Sequence, residues 1–118
     1  MLKKLMLAAL LVAGLSTTAG AVDLGGSYEV RGTNPNGSKY SGTAEIIVTS
    51  ENTCRITWNV GNESSGICMR NGTAFAAGYV LGEKVGLIIY EMHDDGTLDG
   101  IWTIADQEGV GTELLIPK

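Results

Sequence analysis

The feature of this chain that most limits its fold is a succession of short β-type runs separated by glycine-rich breaks. Beyond position 22 no segment keeps a helical period of apolar residues, whereas β-branched and aromatic residues recur in short alternating runs. Two of the breaks contain Asn71-Gly72 and Asp95-Gly96. These dipeptides supply the positive φ angles that a tight type I′ hairpin turn needs. The pattern predicts successive antiparallel hairpins.

Eight strands are predicted, and the short connections between them indicate a meander. The strands span approximately residues 27–31, 40–49, 53–59, 65–70, 73–81, 85–92, 98–104 and 110–116. Connections this short leave no room for crossovers, so strands adjacent in sequence pair with each other. We therefore predict an all-β fold: a small eight-stranded antiparallel up-and-down β-barrel of the avidin or lipocalin type, whose closure removes exposed edges.

The first residues have the composition of a secretory signal peptide. Lys3 and Lys4 precede an apolar run over residues 5–15, and small residues follow as far as Ala21. A transmembrane anchor is the alternative, but the run is shorter than the ~20 residues that cross a bilayer. We expect cleavage between Ala21 and Val22, which leaves residues 22–118 as a single periplasmic or secreted domain without a membrane insertion.

The two cysteines, Cys54 and Cys68, are expected to form a disulfide because an exported chain folds in an oxidising compartment. The bond would close a loop of about 15 residues, worth about 3 kcal/mol in the chain-entropy model. A redox-active pair would instead have C-x-x-C spacing. A hairpin centred on Gly61 places Cys54 opposite Cys68 and Trp58 opposite Ser64, with Trp58 on the same inward face as the disulfide.

Charge excludes one class of partner. The formal net charge is −5, and the basic residues after the first four positions are scattered singly. Nucleic acid needs a basic footprint, so no nucleic-acid partner is expected. No metal or cofactor is predicted either, because bridged cysteines do not bind zinc and the carboxylates of Asp94, Asp95 and Asp99 lack the spacing of a calcium loop.

The strand Val85 to Met92 is apolar on both faces apart from Glu91. A strand of this kind needs cover outside the barrel as well as inside. The two explanations are homo-oligomerisation through the outer face and a chain terminus packed over it.

Aromatic residues indicate where a binding site would lie. In a meander the alternate, longer connections gather at one end, and the strand directions bring Tyr40, Trp58, Tyr79 and Trp102 toward that end. Small barrels bind ligands at their mouths, where aromatic rings supply apolar area and loops supply polar groups. The competing interpretation is that these rings simply fill the interior.

Enzymatic signals are weak, and no catalytic residue is predicted. His93 is the single histidine, and a dyad with Asp95 or Asp99 is conceivable. Turn formation accounts for Asp95-Gly96 more simply, and no nucleophile is identifiable by spacing.

Three stretches resemble a group of small exported bacterial proteins, largely uncharacterised, some of which are labelled fibronectin-binding-like. These stretches are YEVRGTNPNGSKYSG at residues 28–42, the strand around Trp58, and DGTLDGIW at residues 95–102. The layout is also similar to that of avidin-like barrels. The resemblance implies a barrel and an exported binding protein rather than an enzyme.

The sequence therefore indicates a non-enzymatic binding module that recognises a protein or extracellular-matrix surface. Two alternatives stay open: binding of a small apolar or aromatic ligand at the barrel mouth, and inhibition of a host enzyme such as lysozyme. Surface recognition predicts contacts in the loops at residues 33–38 and 60–64, whereas ligand binding predicts a cavity beneath Trp58 and Trp102.

Overall fold

The computed structural model describes residues 23–118, so the predicted signal peptide and its cleavage site lie outside the described residues. The strands are β1 (Gly26–Thr33), β2 (Lys39–Val48), β3 (Thr53–Asn59), β4 (Glu63–Asn71), β5 (Ala74–Leu81), β6 (Lys84–Met92), β7 (Leu98–Ile104) and β8 (Gly111–Pro117). Their ends differ from the predicted ends by at most two residues. Within the described range no helix is long and apolar enough to cross a membrane.

The strands form one closed barrel in sequence order, which confirms the predicted fold class. Each strand pairs antiparallel with the next, and β1 closes the barrel against β8, with Tyr28 opposite Pro117 and Thr33 opposite Thr112. Closure gives every strand two hydrogen-bonded neighbours, so no strand edge is left open to solvent.

The hairpin of β3 and β4 has the predicted register. Cys54 lies opposite Cys68 and is bonded to it, and Trp58 lies opposite Ser64. Side chains alternate along β3, so Cys54, Ile56 and Trp58 are buried in the barrel whereas Arg55 is exposed. The disulfide and the strand pairing therefore fix the same alignment.

The predicted type I′ turns are wrong, although both hairpins form. Gly72 and Gly96 have positive φ angles of 64° and 90°, but Asn71 and Asp95 do not. Asn71 instead pairs with Ala74, so Gly72 is the first of two central residues, as in a type II′ turn.

At the other hairpin a longer turn replaces the expected two-residue loop. The amide of Gly96 donates to the carbonyl of His93, and the amide of His93 donates to the carbonyl of Thr97. This is a type I turn followed by a glycine bulge. The side chain of Asp95 accepts hydrogen bonds from the amide and hydroxyl of Thr97, which holds Asp95 without a positive φ angle.

The core fills the end of the barrel that carries the short turns. Leu24, just before β1, is 5% exposed, and the hydroxyl of Tyr28 donates to its carbonyl oxygen at 2.6 Å. Phe75, Met92 and Leu98 lie at the strand ends near these turns and are also buried. The interior of the barrel at the short-turn end is therefore filled by packed side chains.

Strand β6 is apolar on both faces, as its sequence indicates. Ile88 and Tyr90 are buried inside, whereas Val85, Leu87 and Ile89 are exposed on the outside by 56%, 61% and 57%. Nothing in residues 23–118 covers this outer face, so the chain ends within that range do not pack over it as the second explanation expects. The homo-oligomer explanation stays a prediction.

Candidate functional site

Each of the four hairpins that turn at the long-loop end carries one aromatic residue facing a small residue across the hairpin. The pairs are Gly32 with Tyr40, Trp58 with Ser64, Tyr79 with Gly86, and Trp102 with Gly111. A ring in a sheet can lie flat over a glycine because no side chain of that residue occupies the space. The repeated pairing brings four rings to one mouth of the barrel.

The pair of Trp102 and Gly111 shows how tight this arrangement is. A Cβ atom built on Gly111 would overlap the indole ring of Trp102. The indole nitrogen donates to the carbonyl oxygen of Thr112 at 3.3 Å, which holds the ring across β8. The absence of a side chain at Gly111 therefore determines where Trp102 lies.

The four rings meet as two contact pairs. Trp58 and Tyr79 have ring centroids 5.0 Å apart at an interplanar angle of 59°. Tyr40 and Trp102 have centroids 6.1 Å apart and meet edge to face at 70°. Trp58 and Tyr79 are buried, whereas Tyr40 and Trp102 are half-buried nearer the rim. The rings form a wall that runs from the interior to the mouth.

Beneath this wall lies a buried carboxyl group, that of Glu113 on β8. Its side chain is 6% exposed and is the one buried charged side chain among the residues that the structure describes. Its Oε2 atom accepts hydrogen bonds from the indole of Trp58 at 2.8 Å and the hydroxyl of Tyr90 at 2.5 Å. Its Oε1 atom accepts one from the hydroxyl of Tyr40 at 2.7 Å. Glu113 thus ties β8 to β2, β3 and β6.

Burial sets the electrostatics of this network. It raises the pKa of Glu113, and the hydrogen bonds from Tyr90, Tyr40 and Trp58 partly oppose that rise. Burial and the nearby carboxyl also raise the pKa of Tyr79 to about 12, and they raise the pKa values of Tyr40 and Tyr90 well above the ordinary value of 10. The phenols therefore remain hydrogen-bond donors at neutral pH.

A cavity of about 510 Å³ opens above these groups at the long-loop end. Its walls include all four predicted aromatic residues and Glu113. The other lining residues are Asn34, Pro35, Asn36, Val60, Asn62, Ser64, Leu81, Ile88, Ile104, Gln107 and Glu108. The volume is within the range of about 300 to 1,000 Å³ that is typical of small-molecule sites. The rings line a space and do not fill the barrel to its rim.

The structure brings the predicted residues Tyr40, Trp58, Tyr79 and Trp102 together around this cavity. Sequence reasoning missed Glu113, because a glutamate in a strand is ordinarily assigned to the solvent face. Alternation offers a signal: if Gly111 faces inward beneath Trp102, Glu113 two residues later must face inward as well.

His93 and Asp99 lie away from the cavity. The imidazole Nε2 atom and a carboxylate oxygen of Asp99 are 2.6 Å apart on the exposed surface near the β6–β7 turn. The hydrogen bond and the charge of Asp99 raise the pKa of His93. The pair belongs to the short-turn end, whereas the cavity opens at the long-loop end, so it does not contribute to the cavity chemistry.

No protein-family model matches this sequence, and no curated protein sequence matches it either. Solved structures with the same architecture are small designed β-barrels. A redesigned β-barrel has a TM-score of 0.71 at 16% identity and covers 80% of this chain and 91% of its own. The redesigned barrel mFAP1, solved bound to DFHBI, has a TM-score of 0.67 at 16% identity, with coverage of 80% and 94%.

A designed fluorescence-activating β-barrel is similar to the same extent. It has a TM-score of 0.66 at 14% identity, with coverage of 80% of this chain and 93% of its own. At these identities the likeness concerns the fold, so the site must be interpreted from the residues of this chain.

Proposed function

We propose that this protein binds a small organic molecule in the mouth of its barrel. The observation that carries the proposal is the cavity of about 510 Å³, walled by four aromatic rings with the carboxyl of Glu113 beneath them. Small-molecule sites combine apolar walls with placed polar groups, and this cavity pairs its aromatic and aliphatic walls with polar side chains such as those of Asn62, Ser64 and Glu113. An interior filled to the rim would have favoured recognition by the outer surface instead.

The fold supports the same proposal. The redesigned barrel mFAP1 was solved with DFHBI bound, so a barrel of this architecture is able to hold a small ligand. On this proposal the protein binds its ligand without converting it.

We also propose that the protein acts outside the cytoplasm. Intact mass of the protein recovered from the periplasm or medium should show loss of residues 1–21, and a retained leader would contradict export.

The two tryptophans provide a direct test, because both tryptophans of the chain line the cavity. Titration with the neutral aromatic alcohol 2-(naphthalen-2-yl)ethanol is expected to shift both indole N–H resonances in a heteronuclear NMR spectrum. Replacing Trp102→Leu removes ring area from the rim and should weaken binding about tenfold, since a buried aromatic contact contributes about 1 to 2 kcal/mol.

The matched control for this test is Ile67→Ala. Ile67 is 68% exposed and lies outside the cavity lining, so this variant should bind like the unmodified protein. If the alcohol, its amine analogue 2-(naphthalen-2-yl)ethylamine and a set of neutral aromatic compounds all leave both indole resonances unmoved, ligand binding at the mouth is contradicted.

Recognition of a protein surface is the second candidate, and the outer face of the barrel favours it. The exposed apolar residues lie on β4, β6 and β7 and are each about half exposed or more: Ile67, Met69, Leu87, Ile89 and Ile101. Exposed apolar patches of a few hundred Å² mark interaction sites, and a second copy of the chain is the simplest partner. Sedimentation should then show a dimer that Leu87→Lys dissociates, and a monomer at high concentration would exclude it.

A further inference from the structure

The chemistry of the cavity is set by the one charged group buried beneath it. Glu113 is buried, with 6% of its surface exposed. The groups that donate hydrogen bonds to its oxygens are the hydroxyl of Tyr40 on β2, the indole of Trp58 on β3 and the hydroxyl of Tyr90 on β6. All three are neutral. The described ion pairs, Arg31 with Glu29 and His93 with Asp99, do not include Glu113.

One of the two carboxyl oxygens still has room for a donor. A carboxylate oxygen accepts about two hydrogen bonds. Oε2 receives two, from Trp58 and Tyr90, whereas Oε1 receives one, from Tyr40. Because Glu113 is part of the cavity lining, a donor group of a ligand can reach the open position on Oε1.

The cavity lining supplies no positive charge to balance Glu113. Among the described residues around the cavity the ionisable groups other than tyrosine are Glu108 and Glu113, and lysine, arginine and histidine are missing from the lining. Two carboxyl groups in one cavity repel an anionic ligand and attract a cationic one.

The aromatic wall also favours a positively charged ligand. The faces of tryptophan and tyrosine rings carry partial negative charge and attract a cation within about 6 Å. Tyr40 and Trp58 contact the carboxyl directly, and the rings of Trp102 and Tyr79 pack against them. An ammonium group placed between the rings and Oε1 would contact both kinds of partner, while its apolar body would pack on the remaining ring area.

We infer that the ligand is a protonated amine with an aromatic or other flat apolar body, and that its ammonium group donates a hydrogen bond to Oε1 of Glu113. The inference rests on the proposed function and makes it specific. A charge-assisted hydrogen bond in a water-poor site contributes about tenfold in affinity or more over a neutral donor.

The alternative role for Glu113 is that of a structural brace between four strands. Glu113→Gln separates the two roles because it keeps the size of the side chain and its network. The glutamine oxygen can accept from Trp58 and Tyr90, and its amide nitrogen can donate to the hydroxyl of Tyr40. That hydroxyl then points toward the carbonyl oxygen of Thr112, which is 3.5 Å away.

The test uses two compounds of the same shape, 2-(naphthalen-2-yl)ethylamine, which is a cation at neutral pH, and 2-(naphthalen-2-yl)ethanol, which is neutral. Calorimetric titration of the unmodified protein should show at least tenfold tighter binding of the amine. In Glu113→Gln that preference should disappear while the affinity for the alcohol changes less than about threefold. Glu108→Gln is the control for general negative charge and should keep most of the preference for the amine.

A second measurement keeps the inference testable if Glu113→Gln does not fold. In the unmodified protein, the carboxyl ¹³C resonance of Glu113 should shift on titration with the amine and not with the alcohol. Equal affinity for the two compounds overturns the inference and leaves the proposed function standing. Binding of neither compound overturns both. A preference that survives Glu113→Gln but is lost in Glu108→Gln assigns the charge recognition to the rim and also overturns the inference.

Discussion

At the scale of single residues, Glu113 affects both the packing of the barrel and the charge of the cavity. Its carboxyl group joins β8 to three other strands through hydrogen bonds of 2.5 to 2.8 Å. A buried ionisable group is tolerated when its hydrogen bonds are satisfied, and no buried polar side-chain atom of the described residues lacks a partner. The same group that fixes the aromatic wall also gives the cavity its charge.

The raised pKa of Glu113 predicts how stability depends on pH. Its pKa in the folded protein lies above the ordinary value of about 4.5, so the folded state holds the proton more tightly than the unfolded state does. This contribution to stability is fully present below about pH 4.5 and is lost as the pH rises through the folded pKa. Compared with Glu113→Gln, the unmodified protein should therefore lose free energy of unfolding over this window.

Urea unfolding of both proteins at a series of pH values measures this difference. Groups other than Glu113 cancel in the comparison, because the two proteins share them. A difference that stays constant would show that the hydrogen bonds to the carboxylate balance its burial, and one that grows in favour of the unmodified protein as the pH rises would show that they outweigh it.

At the scale of elements, the hairpin is the unit that builds the site. Each of the four hairpins that turn at the mouth repeats one device, an aromatic residue lying over a glycine or serine of its partner strand. The device works at short range, since both residues of a pair belong to one hairpin. Their convergence on one cavity follows from the meander, which places all four turns at the same end.

Gly111→Ala tests this device. The added methyl group would overlap the ring of Trp102, and the ring has to move because the backbone of β8 is held between β7 and β1. We expect a loss of about 1 to 3 kcal/mol in the free energy of unfolding, the usual cost of overpacking. The indole resonance of Trp102 should shift, and affinity for the naphthyl probes should fall.

Thr112→Ala is the matched control, because Thr112 is adjacent in sequence and its side chain is exposed. It should change the free energy of unfolding by less than about 0.5 kcal/mol and leave the indole resonance in place. Equal behaviour of the two variants would show that Trp102 does not depend on the space above Gly111.

At the scale of the whole molecule, the barrel has one sealed end and one open end. Leu24, Tyr28 and Phe75 close the short-turn end, whereas the long loops surround the cavity. All four tyrosines of the chain point into this interior, and all four have raised pKa values. Burial is the first cause in every case.

The raised pKa values of the tyrosines predict how the stability of the fold changes at alkaline pH. A phenol in the unfolded chain ionises near pH 10, whereas in the barrel Tyr79 has a pKa of about 12 and the pKa values of Tyr40 and Tyr90 are raised well above 10. Their contribution to stability is present below pH 10 and is lost as the pH rises toward the folded values. Just above pH 10 the folded protein should show less phenolate absorbance than the unfolded chain, and the missing absorbance should appear on adding urea.

Spectrophotometric titration with and without urea checks this expectation. The free energy of unfolding should also fall with rising pH in this window, since the unfolded chain releases protons that the folded chain keeps. Several tyrosines that ionise near pH 10 in the folded protein would mean that the interior is open to water far below the rim.

Much of this molecule is determined by local sequence. The alternation along each strand, the glycine-rich breaks and the pairing of Cys54 with Cys68 are enough to predict eight strands, their order and the register of the β3–β4 hairpin. They also bring the rings of Tyr40, Trp58, Tyr79 and Trp102 to one end. These features depend on neighbouring residues, so short-range geometry fixes them.

Other features were decided by the tertiary structure. The turn types depended on how strands paired around Gly72 and Gly96, and not on the dipeptides alone. Alternation along β8 turns Glu113 inward, but the donors that satisfy its carboxyl come from β2, β3 and β6, and one of them, Trp58, is 55 residues away in sequence. The size of the cavity likewise depends on side chains from across the closed barrel. Contacts of this range exist only after closure, so no local pattern specifies them.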